Sequence, residues 1–284
     1  MTRYGVVGPG AVGTTIAYEL AQADNEVQLL GRSDKSVEYD PGNNQPCTSL
    51  EVTDIKKVEA PFDVLFVTVK AHQLDAVMPD LAQLIDDNSI VILAQNGYRD
   101  LNRLPIKHIY QAVVYISGQK DGNTVTHFRD EILHLQRDES TQQLKRELDR
   151  SGLHIELEDN IETTIWYKLL VNLGINSVTA LGHGTARVLQ VNGMCELVRN
   201  LINDGLKVAQ AEGIQFETTL IDDIMRIYDG YPDEMGTSMY YDIKDRKTLE
   251  VDYIQGYIYE KARVHNLNTP YLDTIYTLLL AHQV

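Results

Sequence analysis

Basic residues are scarce in this chain. Lysine and arginine number 25 against 41 aspartates and glutamates, and the formal net charge is −16 over 284 residues. A nucleic-acid surface needs a basic face or stripe, so the balance argues against a nucleic-acid partner. A small anionic ligand stays compatible with it, provided that positive groups gather locally. Cysteine is scarcer still. Cys47 and Cys195 are the only two, and their separation fits no metal or redox spacing. Free thiols in a reducing compartment, and no metal centre, are expected. Long apolar runs are also missing, and none reaches the ~20 residues of a membrane-spanning helix. The opening "MTRYGVVGPGAVG" enters a strand-like run at once, without the apolar core or cleavage site of a signal peptide. These features point to a cytoplasmic protein with no membrane partner. Repeats, low-complexity tracts and flexible linkers are absent too.

What is present falls into two parts. Residues 1–160 alternate strand-like and helix-like pieces. "YGVVG" reads as a buried strand, "AVGTTIAYELAQA" as a helix and "EVQLLGR" as a second strand. A polar loop follows, then "DVLFVTVK", the helix-like "QLDAVMPDLAQLI", and "SIVILAQNG". This β-α-β order predicts a parallel sheet with helices on both faces. Two further runs flanking "KDGN" predict a hairpin, and "EILHLQ" one more strand. After about Asp159 the pattern turns helical, over roughly 161–181, 187–212, 217–228, 249–265 and 270–282. The fold class expected is therefore α/β, with a Rossmann-type domain over 1–160 and an all-α domain over 161–284.

"GPGAVG" places Gly8, Gly10 and Gly13 as G-x-G-x-x-G between a strand and a helix. In a dinucleotide loop the first glycine permits the tight turn and the second lets backbone approach the pyrophosphate. The third lets helix pack on strand. The helix N-terminus turns free N–H groups toward the phosphates. Gly8, Pro9, Gly10, Ala11, Val12 and Gly13 are the expected cradle. NAD-binding proteins usually carry an acid at the end of the second strand, to hold the ribose 2′-hydroxyl. Here that place reads "GRS", with Arg32, which suits a 2′-phosphate and so NADP. Two later strand ends, at Lys70 and at "QNG" with Asn96, would add polar groups to the same edge of the sheet. Each also has a bland reading, as a surface cap and as a turn.

"IWYKLLVNLGINSVTAL" raises a different question. Helical steps put Lys168, Asn172 and Asn176 within an arc of about 80° on an otherwise apolar helix. A lysine carried into such surroundings without a partner is costly, so the stripe should line a cleft or meet a carboxylate. Downstream, "GTSMYYDIKDRKTLEVDYIQGY" offers Ser238, Asp242, Glu250 and Asp252. Glu250 would sit near the start of a helix running to about Arg263, with Thr248 as its cap, where an acid also suits the helix dipole. Sequence physics does not choose between Glu250 and Asp252.

Together these stretches resemble the ketopantoate reductase family. The carriers are "GPGAVG", "GRS", "VTVKAHQ", "QNG", "KLLVNLGINSVTA" and "TSMYYDIKDRKTLEVDYIQG", which span nearly the whole chain. The resemblance implies NADPH-dependent reduction of 2-dehydropantoate to pantoate, a step toward pantothenate and coenzyme A. It implies Lys168 as the proton donor. It gives Asn172, Asn176 and Ser238 as substrate contacts, and Glu250 as an active-site acid near lysine and cofactor. Lys70 and Asn96 become cofactor contacts, with Asn96 touching substrate as well. Three features depart from the family pattern: Ser177 in place of a frequent proline, Ala186 at a polar substrate position, and a short loop after Arg32. Two alternatives stay open. One is a reductase of another 2-keto acid or of a β-hydroxy acid; the other is a catalytically silent NADP sensor. The oligomeric state is open as well, with a homodimer among the options. Sixteen tyrosines, several of them at Tyr228–Tyr259, suggest a helical core more than an interface.

Overall fold

The computed structural model describes residues 2–42 and 45–283. The chain forms two compact units, Met1–Ile161 and Glu162–Val284. The first holds, in order, β1 (Arg3–Val7), α1 (Ala11–Gln22), β2 (Glu26–Gly31), β3 (Lys35–Asp40), β4 (Thr48–Asp54) and β5 (Val64–Val67). It continues with α2 (Leu74–Leu81), β6 (Ile90–Leu93), β7 (His108–Gln111), β8 (Val113–Asp121), β9 (Thr124–Gln136), α3 (Glu139–Glu147) and β10 (His154–Glu158).

Six strands run parallel in the order β4-β2-β1-β5-β6-β7. That is the order of a dinucleotide-binding sheet, and its switch point lies between the carboxyl ends of β1 and β5. The near-continuous apolar runs that announced these strands have a direct cause. Successive side chains point to opposite faces, and both faces are covered. Val6, Phe66 and Ile92 belong to one core, with Ile16 and Leu20 of α1 and Leu144 of α3. Val7, Leu65, Val67, Val91 and Leu93 belong to the other, with Leu74 and Leu81 of α2.

The sheet is larger and more mixed than the sequence pattern predicts. The stretch after Arg32 is not simply a polar loop, because it contains β3 and β4, paired antiparallel. Val37 and Tyr39 are buried there, but Glu38 and Asp40 between and beyond them mask the alternation. "EILHLQ" is not a separate strand either. It is the second half of β9, whose antiparallel ladder with β8 is irregular around Ile116–Gly118. The turn between these strands falls at Gly122–Asn123 of "KDGN", and Gly122 takes φ +55°, a conformation glycine adopts without steric cost. β10 then adds parallel to β9 at the end of the sheet.

The helical part comprises α4 (Ile161–Leu181), α5 (Met194–Ala211), α6 (Leu220–Asp229), α7 (Ser238–Lys244), α8 (Gln255–Val264) and α9 (Pro270–Ala281). The expected helix over 187–212 divides in two. A 3-10 turn covers Ala186–Gln190, and α5 starts only after Gly193, whose φ of +86° breaks the helical path. The short α7 has too few apolar residues to show a period. Tyr228 is a core tyrosine of this unit. It is 2% exposed, and its hydroxyl donates to the Val171 carbonyl at 2.6 Å.

Candidate active site

Because the core strands are parallel, the residues that follow β1, β2, β5 and β6 reach the same edge of the sheet. These are Gly8, Arg32, Thr68 to Lys70, and Asn96. Gly8 takes φ +111°, and a Cβ there would stand 2.9 Å from the Val69 nitrogen. At Gly13 a Cβ would stand 2.1 Å from the Gly8 carbonyl oxygen and 2.3 Å from Thr68 Oγ1. Both glycines are therefore fixed by backbone approach. Gly10 differs, since a Cβ there would meet nothing within 4 Å. No sequence pattern marks Thr68. Its hydroxyl lies 2.9 Å from the Val7 carbonyl and 2.8 Å from the Gly8 carbonyl, so one proton serves the two and pins the turn.

α1 begins at this turn with no side-chain cap and no acid in its first turn. The N–H groups of Ala11, Val12 and Gly13 have no intrahelical acceptor and a positive dipole end behind them. Open space over Gly10, unspent amides and an uncapped helix start fit a dinucleotide pyrophosphate.

Arg32 is exposed directly after the buried Gly31. Asp34, the nearest acid along the chain, is engaged elsewhere. It pairs with Lys57 and accepts from the Asp54 amide at 2.7 Å. Its bond to Lys57, followed by the one from Asp54, holds its carboxyl below the usual aspartate value. Lys70 is half-buried and heads a 3-10 turn, its carbonyl accepting from the Gln73 amide at 2.8 Å. Asn96 is half-buried, and Gly97 follows it at φ +89°. The Gln111 side chain holds this loop, donating to the Gly97 carbonyl at 2.7 Å and accepting from the Arg99 amide at 2.9 Å. The "QNG" stretch is thus both a turn and a strand end.

In the helical unit, the polar stripe lies along α4 as its spacing predicts. Lys168 and Asn172 are half-buried, and Asn176 is 5% exposed. Glu250 and Asp242 are buried, while Ser238 is exposed at the first position of α7. Thr248 is not the cap of a helix through Glu250. Glu250 precedes a 3-10 turn, Val251–Tyr253, and α8 starts only at Gln255 because Ile254 (φ −114°, ψ −81°) interrupts the path. Asp252 is exposed and accepts from the Tyr276 hydroxyl at 3.2 Å.

A buried polar network lies behind the stripe, and sequence reasoning missed it. Ser177 Oγ donates back to the Leu173 carbonyl at 2.6 Å and accepts from Gln255 Nε2 at 3.0 Å. Thr179 Oγ1 meets Thr237 Oγ1 at 2.8 Å, and Thr237 caps α7 by accepting from the Tyr240 amide at 3.2 Å. α4, α7 and α8 are therefore tied together next to Asn176 and Ser238. The only signal available in advance was a run of hydroxyl residues inside an apolar helix.

Known proteins resemble this chain over nearly its full length. Residues 4–139 match the family described as Ketopantoate reductase PanE/ApbA. Residues 160–283 match its C-terminal part. The chain is 31% identical to the 2-dehydropantoate 2-reductase of Mycobacterium tuberculosis, over 99% of this chain and 97% of that one. A dimeric ketopantoate reductase from Staphylococcus aureus is 52% identical, with a TM-score of 0.96 over 99% of this chain and 98% of that one. A D-mandelate dehydrogenase solved with NADH and anilino(oxo)acetate is 25% identical, with a TM-score of 0.90 over 99% and 98% of the two chains. With both of its parts matched, this chain is an oxidoreductase that belongs to the ketopantoate reductase family.

Proposed function

We propose that the protein reduces 2-dehydropantoate to pantoate with NADPH, in pantothenate and coenzyme A biosynthesis. The observation that carries this reading is the register of Lys168, Asn172 and Asn176 on one stripe of the largely buried α4. When bound, the cofactor supplies the hydride for the ketone carbon. The glycine loop and the α1 amides receive its pyrophosphate, and Arg32 its 2′-phosphate; Lys70 and Asn96 hold it further along the edge. Lys168 polarises the ketone oxygen and delivers a proton to it as charge develops there. Asn172, Asn176 and Ser238 orient the carboxylate and hydroxyl ends, and Asn96 contacts substrate as well. Glu250 positions the lysine. The protein's part is placement and electrostatics, and the electron transfer belongs to the cofactor.

A panel of 2-keto acids, assayed by NADPH consumption and product identification, tests this. The highest kcat/KM should fall on 2-dehydropantoate. A second reading, the reduction of another 2-keto acid, is favoured by the likeness to D-mandelate dehydrogenase. The same panel decides between them, and turnover on no keto acid at all would leave an NADP sensor. For the cofactor, Arg32→Ala should weaken NADPH binding far more than NADH binding. We further propose a cytoplasmic location and a homodimer. Among the described residues no helix is long and apolar enough to cross a membrane. Sedimentation of the purified chain tests the dimer.

A further inference from the structure

The hairpin of β8 and β9 brings one lysine to the glycine loop from far along the sequence. Lys120 donates to the Pro9 carbonyl, 111 residues away. It arrives there because Gly118, two residues earlier, lies against α1. A Cβ at Gly118 would stand 3.5 Å from the Ala11 Cβ, and 2.8 Å from the Thr126 carbonyl oxygen of the partner strand. Lys120 is half-buried, and among the described residues no carboxylate pairs with it. Burial, and then the nearby charge of Lys35, lower its pKa. An ammonium ion placed beside another cation, with a carbonyl as its partner, lacks the anion such a group usually meets.

Arg32 lies at the same corner. Pro9 packs against Gly31, its Cγ 3.4 Å from where a Gly31 Cβ would stand, and Arg32 comes next in the chain. Lys35 starts β3 opposite Val52, which is paired in turn with Leu29 near the carboxyl end of β2. Asp34, which could neutralise the corner, is held by Lys57. In a protein of net charge −16 this is the local gathering of positive groups that an anionic ligand requires.

We propose that Lys120 and Lys35 join Arg32 in holding the 2′-phosphate of NADPH, so that preference for the phosphorylated cofactor depends on the β8–β9 hairpin. A pyrophosphate held by the Gly8–Gly10 loop would lie beside Pro9, with the ribose of the adenosine half toward the end of β2, as in dinucleotide-binding folds of this kind. One N–H of Lys120 is spent on Pro9, and its remaining donors serve the phosphate oxygens. Lys35 adds charge from the solvent side. This inference rests on the NADPH reading given above.

Direct binding to the 284-residue chain separates the two. NADPH, NADH, 2′,5′-ADP and 5′-AMP are titrated against wild type, Lys120→Met, Lys120→Arg and Lys35→Gln. The expected result is a loss of about tenfold or more in Lys120→Met for NADPH and 2′,5′-ADP, with NADH and 5′-AMP changed less than about twofold. Lys120→Arg should retain most of the preference, and the exposed Lys35→Gln should lose a smaller part of it without affecting folding. An equal loss for both cofactors in Lys120→Met would overturn the proposal, and so would an unchanged ratio. If Lys120→Met does not fold, an unchanged NADPH-to-NADH ratio in Lys35→Gln overturns it. Wild type that binds NADPH no more tightly than NADH removes the underlying cofactor reading itself, a different outcome.

Discussion

The hydroxyls of Thr179, on α4, and Thr237, the cap of α7, meet at 2.8 Å inside the helical unit. Ser238 follows Thr237 directly, so the position of one proposed substrate contact is set from the helix that carries Lys168, Asn172 and Asn176. Thr237→Val keeps the shape but removes both the cap and the partner of a buried hydroxyl. Losing a cap costs about 1 kcal/mol, and leaving a buried polar group unpaired about 1–3 kcal/mol. Denaturant unfolding of the variant should show a loss in this range. Thr237→Ser should recover most of the stability, and its KM for the keto acid should stay close to wild type.

Lys168 carries the proton in the proposed reaction. Lys168→Ala should lower kcat by about 10²–10⁴-fold and leave NADPH affinity within a few-fold of wild type. Steady-state kinetics together with cofactor titration check both halves. Near-normal turnover would remove Lys168 from the role.

The glycines of the loop should separate by mechanism. Gly13→Ala places a Cβ 2.1 Å from a backbone carbonyl oxygen, so the helix start must move. Thermal stability and cofactor binding should fall together. Gly10→Ala meets nothing in the protein, so its unfolding temperature should stay near wild type while cofactor affinity falls. Unchanged affinity in Gly10→Ala would show that the phosphates do not pass over this residue.

Acid sensitivity has a local source in the helical unit. Burial pushes the Glu212 carboxyl up, but bonds from Lys261 and His265 outweigh it and hold the group below the usual glutamate value. A carboxyl depressed in the folded state stabilises fully above its unfolded value of about 4.3 and loses that contribution as pH falls through the folded value. The stability gap between wild type and Glu212→Gln should therefore be largest near pH 5.5 and narrow toward pH 3. A gap constant across that range would assign the effect to packing.

Periodicity and spacing were enough to read the parallel core strands, the glycine turn, the lysine stripe and the helical second half from the sequence. Each depends on residues close together in the chain, where the geometry of strand and helix fixes which side chains share a face. "DVLFVTVK" could hardly be anything but a buried strand, and Lys168, Asn172 and Asn176 hold their register on any helix. β3 and β4 escaped because Glu38 and Asp40, between and beyond Val37 and Tyr39, hide a short alternation. α7 escaped because seven residues with one buried apolar side chain show no period. The placement of Glu250 before a 3-10 turn depended on Glu250 (φ −85°, ψ 29°) and Ile254 both leaving helical geometry. The remaining features needed the tertiary fold. Thr68 pins Gly8 from 60 residues away, Thr237 meets Thr179 across 58, and Lys120 reaches Pro9 across 111. Nothing local marks such pairs, because strand pairing and helix packing bring them together. The sequence alone determined the chemistry that can be assembled: a glycine-rich turn before a helix, an arginine in place of an acid, and a lysine in register with two amides. The fold decided which further groups stand beside that chemistry, since only long-range packing sets those distances.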